Sequence, residues 1–210
     1  MIRTLAVLPV KGFSRAKQRL RRGLSDPARE ALVEAMLADV LSALRLTAVD
    51  RVLVVTAGEA PRRIARAHGA EVLGDDEAGH NAAAGLGIGV ALSEGFDRAL
   101  LVPGDCPALD PAEVDELLAH PAPPPSALVV PDRHGTGTNA LLLSPPDSMS
   151  PSFGPGSCQR HVELAQARHT AVQVVNLTSL GLDVDTPEDL EALARLSTRA
   201  QRTHDVLARC

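Results

Sequence analysis

The chain has 210 residues, which is enough for one domain with a substantial core, and 45% of them are hydrophobic and 22% charged, as in soluble globular proteins. Aromatic residues make up only 1%, so the core must be built from Leu, Val, Ile and Ala. The net charge of -5 argues against nucleic acid as a general partner.

Cysteine usage and hydropathy together favour a cytoplasmic protein. Cys106, Cys158 and Cys210 are too few and too scattered for a disulfide framework or a zinc site. No apolar run approaches the length of a membrane span, and the first residues are too short for a signal peptide with a cleavage site. We therefore expect a cytoplasmic protein with no membrane partner.

Short apolar runs alternate along the chain with longer segments rich in Ala, Leu, Glu and Arg. The apolar runs are TLAVLPV, RVLVVTA, EVLG, ALLVPG, ALVVPD, ALLLS and AVQVVNL. Runs with little polar alternation are typical of strands that are covered on both faces. The pattern predicts an α/β fold with a mostly parallel central sheet flanked by helices.

Three helix starts are marked by an acid or hydroxyl residue before proline, at Asp26, Asp110 and Thr186. The first residue of each pair can cap free amides, and proline suits the first helical position. The proline-rich stretch at 119–126 is too close to both neighbours to separate domains, so it is expected to be a loop. We predict one domain over residues 1–197 and a tail over 198–210 that frays, since the tail has no clear apolar face.

The first predicted strand leads into a basic loop, which contains Lys11, Arg15, Lys17 and Arg19. Ligands gather at the carboxyl ends of strands in α/β sheets, and clustered cations there suit a polyphosphate. Neither a Walker loop nor a G-x-G-x-x-G is present. The alternative is a solvated basic loop without a ligand.

The segment at 79–92 combines small residues with Asn81. Small residues allow close approach, and an Asn amide both donates to and accepts from a base edge or a ribose. The segment is therefore a candidate nucleotide contact. A tightly packed helix with several glycines explains it equally well.

Two glycine-rich turns come later in the chain. One carries Gly135, Gly137 and Thr138 between apolar runs, and the other carries Gly154 and Ser157 before a helix-like segment. Exposed amides and hydroxyls in such turns bind anions, especially at a helix N-terminus, although each turn alone is more often a plain turn.

The histidines of the chain lack metal-binding spacing, and we expect them at the surface. Arg160 and His161, which follow the second glycine-rich turn, remain weaker candidates for phosphate contacts.

Three acids occupy positions that suit a metal ion. Asp105 ends the apolar run of LLVPGDCPAL, and Asp183 and Asp185 stand two residues apart, which in an extended segment points both carboxylates to one side. Mg²⁺ prefers such oxygen ligands together with phosphate oxygens and water. Asp185 could instead only help to cap the following helix.

Five segments of the chain resemble the phosphoenolpyruvate / 2-phospho-L-lactate guanylyltransferase family of deazaflavin coenzyme F-420 biosynthesis. In chain order they are AVLPVKGFSRAKQRL, VPGDCPAL, PDRHGTGTNALL, FGPGSCQRH and LDVDTPEDL. The resemblance covers nearly the whole chain. It implies a Rossmann-like nucleotidyltransferase fold, GTP and a small phosphorylated carboxylic acid as partners, and Mg²⁺ as cofactor.

The resemblance also implies roles for individual residues. Asp105 and Lys17 are the expected catalytic residues. The expected metal ligands are Asp105, Asp183 and Asp185. The positions implied to bind the phosphorylated acid are Thr138, Gly154 and Ser157. The positions implied to face the nucleotide are Lys11, Lys17, Arg19 and Asn81.

The expected reaction moves GMP from GTP to the phosphate of phosphoenolpyruvate and releases pyrophosphate. A phosphate with a second pKa of about 6 is already ionised near neutral pH, so no Ser, Cys or His nucleophile is needed. The same reaction on 2-phospho-L-lactate or 3-phosphoglycerate, a nucleotidyltransferase for molybdopterin or a sugar phosphate, and a silent nucleotide-binding regulator are the alternatives. The oligomeric state is open.

Overall fold

A computed structural model of the chain describes residues 2–13, 17–76, 78–196 and 199–210. All seven apolar runs form strands, and together they build one sheet. The strands are β1 (Thr4–Pro9), β2 (Arg51–Val55), β3 (Glu71–Leu73), β4 (Arg98–Leu101), β5 (Ser126–Pro131), β6 (Thr138–Ser144) and β7 (Ala171–Val174).

The sheet has the order β3-β2-β1-β4-β6-β5-β7 and is mostly parallel, as predicted. β1 pairs in parallel with both β2 and β4, and β5 pairs in parallel with β7. β6 alone runs antiparallel to its neighbours β4 and β5. The first residue of β6 therefore lies at the edge of the sheet where β1, β4 and β5 end.

The helices are α1 (Asp26–Leu44), α2 (Glu59–Ala67), α3 (His80–Ser93), α4 (Pro111–Ala119), α5 (Ser157–Ala167), α6 (Pro187–Leu196) and α7 (Gln201–Leu207), with a short 3-10 helix at Gln18–Arg22. Residues 119–126 hold the loop between α4 and β5, as predicted. None of the helices within the described ranges combines the length and the apolar character that a bilayer crossing requires.

Both faces of the sheet are covered, which explains the near-continuous apolar runs. In β1, Ala6 and Leu8 pack into one core with α1, whereas Leu5 and Val7 pack into a second core with α3. All four side chains are fully buried. The side chains of β1 thus alternate between two apolar cores rather than between a core and solvent.

Helix α3 approaches β1 unusually closely at a glycine. A Cβ atom built on Gly87 would lie 2.1 Å from Cγ1 of Val7. Gly87 therefore serves close helix-to-sheet packing, which was the alternative interpretation of the segment, whereas a Cβ on Gly79, Gly85 or Gly89 would have no atom within 4 Å.

All three predicted helix starts are confirmed, and at two of them the predicted residue is also the cap. The carboxylate of Asp110 accepts a hydrogen bond from the amide of Ala112 at 2.9 Å, and Thr186 Oγ1 accepts one from the amide of Asp189 at 3.3 Å. The prediction of a cap at Asp26 is wrong. Ser25 is the capping residue of α1, and Asp26 lies in the first turn, where it pairs with Arg29.

The predicted fraying of the chain end is also wrong, because a buried polar contact ties it down. Residues 201–207 form α7, in which the amide and hydroxyl of Thr203 both donate to Oδ2 of Asp39 on α1, at 2.9 and 2.8 Å. Asp39 and Thr203 are buried, so this contact had no apolar signal in the sequence. The predicted boundary itself falls at residues 197 and 198, which lie outside the described residues.

Candidate active site

The predicted site residues converge at the carboxyl edge of the sheet. The strand order reverses at β1, which lies between β2 and β4, and ligands of open α/β sheets bind at such switch points. Lys17 follows β1, Asp105 follows β4, and Thr138 begins the antiparallel β6. Two groups of residues form there, one charged and one neutral.

The charged group, termed here the carboxylate–lysine cluster, contains Lys17, Asp105, Asp183 and Asp185. The ammonium of Lys17 pairs with Oδ2 of Asp105 and, at 2.7 Å, with Oδ1 of Asp185. Only 6% of the Lys17 side chain is exposed, against 31% for Asp105 and 47% for Asp185. Lys17 also has a left-handed backbone with φ 51°, a conformation uncommon for residues other than glycine.

Electrostatics keep Lys17 charged. Burial alone would lower the pKa of its ammonium, but the charges and hydrogen bonds of Asp105 and Asp185 outweigh burial, and the net effect is a raised pKa. Lys17 therefore stays a cation at any physiological pH and cannot serve as a general base.

Asp183 has a different partner. Its Oδ1 accepts a hydrogen bond at 3.2 Å from the amide of Asn139, which also donates to the carbonyl of Leu180 at 3.0 Å. Burial, followed by the negative charge of Asp105, raises the pKa of Asp183. The environment of this carboxylate thus has an excess of negative charge, which a further cation would relieve.

The backbone that carries Asp185 is held by the carboxylate of Asp189. Its Oδ2 accepts from the amides of Asp185 and Thr186 at 2.9 and 2.7 Å, and its Oδ1 pairs with Arg133 at 2.6 Å. This arrangement leaves the side chain of Asp185 directed to Lys17 rather than to the helix N-terminus. Asp185 is therefore not the cap of α6.

Within the described residues, no three Asp, Glu, His or Cys side chains form a group that could hold a metal ion as they stand. In the cluster, the Lys17 ammonium lies against two of the three predicted ligands. The donor set still fits Mg²⁺ in its chemistry, since it consists of carboxylate oxygens with excess negative charge around Asp183. The three-carboxylate metal site stays a prediction.

The neutral group, termed here the hydroxyl–histidine cluster, contains Thr138, Ser157 and His161. Nδ1 of His161 lies 2.9 Å from Oγ1 of Thr138, and Nε2 accepts a hydrogen bond from the amide of Ser152 at 2.8 Å. His161 is fully buried. Burial, and then the nearby charge of Arg160, lowers the pKa of His161 to about 4, so the ring is neutral.

Ser157 opens α5 and is 1% exposed. Its hydroxyl is buried and has no hydrogen-bond partner among the described residues. A buried hydroxyl without a partner costs free energy, so it is a candidate ligand contact.

The turn before Ser157 is held by Arg160. Gly154 and Gly156 have positive φ angles of 122° and 69°, which favour glycine. The guanidinium of Arg160 donates to the carbonyl of Ser152 at 2.8 Å and to that of Pro155 at 2.9 Å. Arg160 therefore braces the turn through its donors, instead of presenting them all to a ligand.

The other glycine-rich turn is built around Asp132. Its carboxylate accepts from the amides of Thr136 and Gly137, at 2.9 and 2.8 Å. A Cβ atom on Gly137 would lie 2.6 Å from Oδ2 of Asp132, so a larger residue there would displace this carboxylate. The turn is joined to α5 by a 3.2 Å bond from the amide of Cys158 to the carbonyl of Thr136.

Asn81 connects α3 to the turn before α5. Its Nδ2 donates to the carbonyl of Phe153 at 3.2 Å, and its Oδ1 accepts from the amide of Phe153 at 2.7 Å. The Phe153 ring contacts His80 and His161 edge-on, with centroid distances of 5.0 and 5.2 Å. The amide of Asn81 is thus engaged with the backbone of its own chain.

The basic loop is brought together only in part. Lys11 and Arg19 are exposed, and Arg15 lies outside the described residues. The positive charge of Lys11 acts on His80, whose pKa is lowered first by burial, while the charge of Asp105 opposes this. The charges of Lys11 and Asp105 thus act on His80 in opposite directions.

Sequence reasoning missed two side chains of the site and misplaced a third. The prediction of surface histidines is wrong for His161, which is fully buried, and neither Asn139 nor His80 was singled out. One signal was available for His161, because it follows Ser157 by four residues and so lies on the same face of α5. Cys106 is no missed nucleophile, since burial, followed by the charge of Asp105, raises the pKa of its thiol.

Comparison with solved structures agrees with the fold. A nucleotidyl transferase from Methanothermobacter thermautotrophicus superposes with a TM-score of 0.65, covering 97% of this chain and 99% of that one, at 18% sequence identity. At that identity the likeness concerns the fold alone. The architecture is that of a Rossmann-like nucleotidyltransferase, as expected.

Relatives found by sequence comparison share a higher identity with this chain. The phosphoenolpyruvate guanylyltransferase of Conexibacter woesei is 50% identical over 196 residues, which are 92% of this chain and 88% of that protein. The 3-phospho-D-glycerate guanylyltransferase of Phenylobacterium zucineum is 40% identical over 208 residues, covering 97% of this chain and 94% of that protein. Residues 4–207 match the family described as guanylyl transferase CofC like, and the chain belongs to that family.

Proposed function

We propose that the protein transfers GMP from GTP to the phosphate of phosphoenolpyruvate, giving enolpyruvyl-diphospho-guanosine and pyrophosphate, in coenzyme F-420 biosynthesis. The observation that carries the choice of acceptor is the 50% identity, over nearly the whole chain, to a relative named for this substrate. The two clusters at the sheet edge support a reaction between two anionic reactants, since one cluster is charged and the other supplies neutral donors.

The acceptor is assigned to the hydroxyl–histidine cluster. The hydroxyls of Thr138 and Ser157 would donate to its carboxylate and phosphate oxygens, and the turn at Gly154 would contribute backbone. Support comes from the buried Ser157 hydroxyl, which has no partner among the described residues. Hydrogen bonds from a hydroxyl to an ionised oxygen are about twice as strong as neutral ones, so an anion is the partner that best compensates its burial.

The nucleotide is assigned to the carboxylate–lysine cluster and the exposed cations Lys11 and Arg19. Lys17 would neutralise charge on the triphosphate, which its raised pKa supports. Asp105 and Asp183, with Asp185, are the residues that would hold Mg²⁺, which when bound supplies charge neutralisation for the phosphates. Asn81, which the resemblance implies to face the nucleotide, is assigned instead to the turn beside the acceptor, because both polar atoms of its amide bind the backbone of Phe153.

The chemistry needs little from side chains beyond positioning. A phosphate oxygen of the acceptor forms a bond to the α-phosphorus of GTP, and the bond from that phosphorus to the bridging oxygen breaks in line, so pyrophosphate leaves with the electron pair. No proton is removed from the attacking oxygen, because the phosphate is already ionised. Binding two anions in one geometry is the main obstacle, and Lys17 and the hydroxyl donors address it.

The test is pyrophosphate release by the purified protein with Mg²⁺ and GTP, measured separately with phosphoenolpyruvate, 2-phospho-L-lactate and 3-phosphoglycerate. We expect phosphoenolpyruvate to give the largest kcat/KM, and ATP or CTP to replace GTP poorly. Mass spectrometry of the product identifies the new diphosphate bond.

Preference for another of the three acids would keep the reaction and correct the acceptor. A folded sample that releases no pyrophosphate with any of them would refute the proposal. It would favour another acceptor or a binding role without turnover.

A further inference from the structure

The buried imidazole of His161 has a defined proton position. A backbone amide can only donate, so the 2.8 Å contact from the amide of Ser152 makes Nε2 an acceptor without a hydrogen. The neutral ring then carries its hydrogen on Nδ1, which donates to Oγ1 of Thr138 at 2.9 Å. The tautomer thus follows from the geometry of the two contacts.

The proton position of His161 fixes the direction of the Thr138 hydroxyl. A hydroxyl that accepts from Nδ1 must turn its own hydrogen away from the ring. Among the described residues, His161 is the sole hydrogen-bond partner of this hydroxyl. The hydrogen of Thr138 is therefore free to donate to a ligand, and it cannot be satisfied by the imidazole.

The ring is held in this orientation from several sides. Phe153 packs against its edge at 5.2 Å between centroids, with an interplanar angle of 78°. The amide of Ser152 and the hydroxyl of Thr138 engage opposite nitrogens. A flip of the ring would break both hydrogen bonds at once.

We propose that His161 is a positioning residue that presents the Thr138 hydroxyl as a hydrogen-bond donor to the anionic acceptor. The inference rests on the proposed function, in which Thr138 contacts the phosphorylated acid. A donor fixed before binding needs no reorientation when the anion arrives, which favours binding and correct placement. His161 itself does not touch the substrate.

Two substitutions separate the two contacts of the ring. His161→Asn keeps a donor near the position of Nδ1 and loses the contact to Ser152. His161→Gln reaches the position of Nε2, where its oxygen accepts from Ser152, and loses the donor to Thr138.

We expect His161→Gln to raise the KM for the phosphorylated acid about tenfold with the KM for GTP unchanged, as for loss of one charge-assisted hydrogen bond. His161→Asn should stay within about twofold of the wild type in both constants.

A Thr138→Ala background provides the control. If His161 acts through Thr138, His161→Gln should add no further rise in the KM for the acid there. Additive effects, equal rises for both substrates, or an impaired His161→Asn variant beside an unimpaired His161→Gln variant would overturn the proposal.

The tautomer can be measured without any turnover, by ¹⁵N NMR of the histidine-labelled wild-type protein. A neutral ring with hydrogen on Nδ1 is expected for His161, and hydrogen on Nε2 would overturn the proposal even if the variants failed to fold. Wild-type protein that turns over none of the phosphorylated acids, but shows the Nδ1 tautomer, would refute the proposed function and leave the orientation of Thr138 established.

Discussion

The two clusters at the carboxyl edge satisfy their polar groups in opposite ways. In the carboxylate–lysine cluster the charges satisfy one another, since Lys17 pairs with both Asp105 and Asp185. In the hydroxyl–histidine cluster one hydroxyl is oriented by His161 and the other, on Ser157, has no partner within the described residues. In the proposed function the charged cluster would therefore exchange partners when a ligand binds, whereas the neutral cluster would offer hydroxyl donors that are already free of other acceptors.

Two adjacent residues of β6 contact the two clusters, one residue each. Thr138 and Asn139 are adjacent on β6, where its pairing with β5 shifts register, and the side chain of Thr138 contacts His161 while that of Asn139 contacts Asp183. A single antiparallel strand thus serves both clusters. The comparison predicts that substitutions in the charged cluster reduce turnover, while those in the neutral cluster change the binding of one substrate.

The largest effect is expected from Asp105→Asn. The variant removes a negative charge that faces Lys17 and that the proposed metal requires, so kcat should fall by about 100-fold to 1,000-fold, as when a transition-state electrostatic contact is lost. Asp105 is 31% exposed, so the midpoint of thermal unfolding should change little. Steady-state kinetics with Mg²⁺ and a thermal melt measure the two quantities.

Asp147→Asn serves as the matched control, because Asp147 is an exposed aspartate outside both clusters. It should behave as the wild type in both measurements. An Asp105→Asn enzyme that keeps full activity would remove the distinction between the two clusters.

A smaller effect concerns pH and the neutral cluster. The pKa of His161 is about 4, below its ordinary value of 6.5, so between these values the unfolded chain binds the proton more readily than the folded one. Stability should therefore fall as pH drops from 6.5 to 4, by at most about 1.4 kcal/mol per pH unit from this group. Urea unfolding of the wild type and of His161→Gln at pH 7, 6, 5 and 4 isolates this contribution by difference. Equal pH dependence in both proteins would contradict the buried neutral ring.

What sequence alone predicts differs between the two clusters. Asp105 follows an apolar run, and strand ends are read from local hydropathy, so its place at the sheet edge was predictable. Its contact with Lys17 joins residues 88 positions apart, and that of Lys17 with Asp185 spans 168 positions. The positions of the acids and cations after predicted strands indicated that they gather at one edge of the sheet. These positions could not show that the acids and cations pair with each other.

The neutral cluster was harder to predict because polar burial leaves no hydropathy signal. Thr138 and Ser157 were named from their glycine-rich turns and from the family resemblance, whereas His161 was assigned to the surface and kept only as a weaker candidate for a phosphate contact. Its partners lie on β6 and in the turn before α5, and they meet it only when α5 packs on the sheet. The seven strands were all predictable from their apolar runs, which are buried in five of the strands and half-buried or exposed in the edge strands β3 and β7.

Ser157→Ala sharpens the comparison by separating stability from function. The buried hydroxyl has no partner among the described residues, so its removal should leave the free energy of unfolding unchanged or slightly higher. The KM for the phosphorylated acid should rise about tenfold, with that for GTP unchanged. A loss of stability without a change in KM would show that the hydroxyl serves the fold alone.

The smallest effect is expected from Asn81→Ala, which tests where the boundary between the two clusters lies. Family resemblance implies a nucleotide contact, yet both polar atoms of the Asn81 amide bind the backbone of Phe153, whose ring packs on His161. Loosening this turn should raise the KM for the phosphorylated acid about threefold, as for the loss of a partly exposed hydrogen bond. Asn81→Asp is the companion variant, because it keeps the acceptor for the Phe153 amide and loses the donor to the carbonyl. A rise confined to the KM for GTP would instead place Asn81 with the charged cluster and the nucleotide.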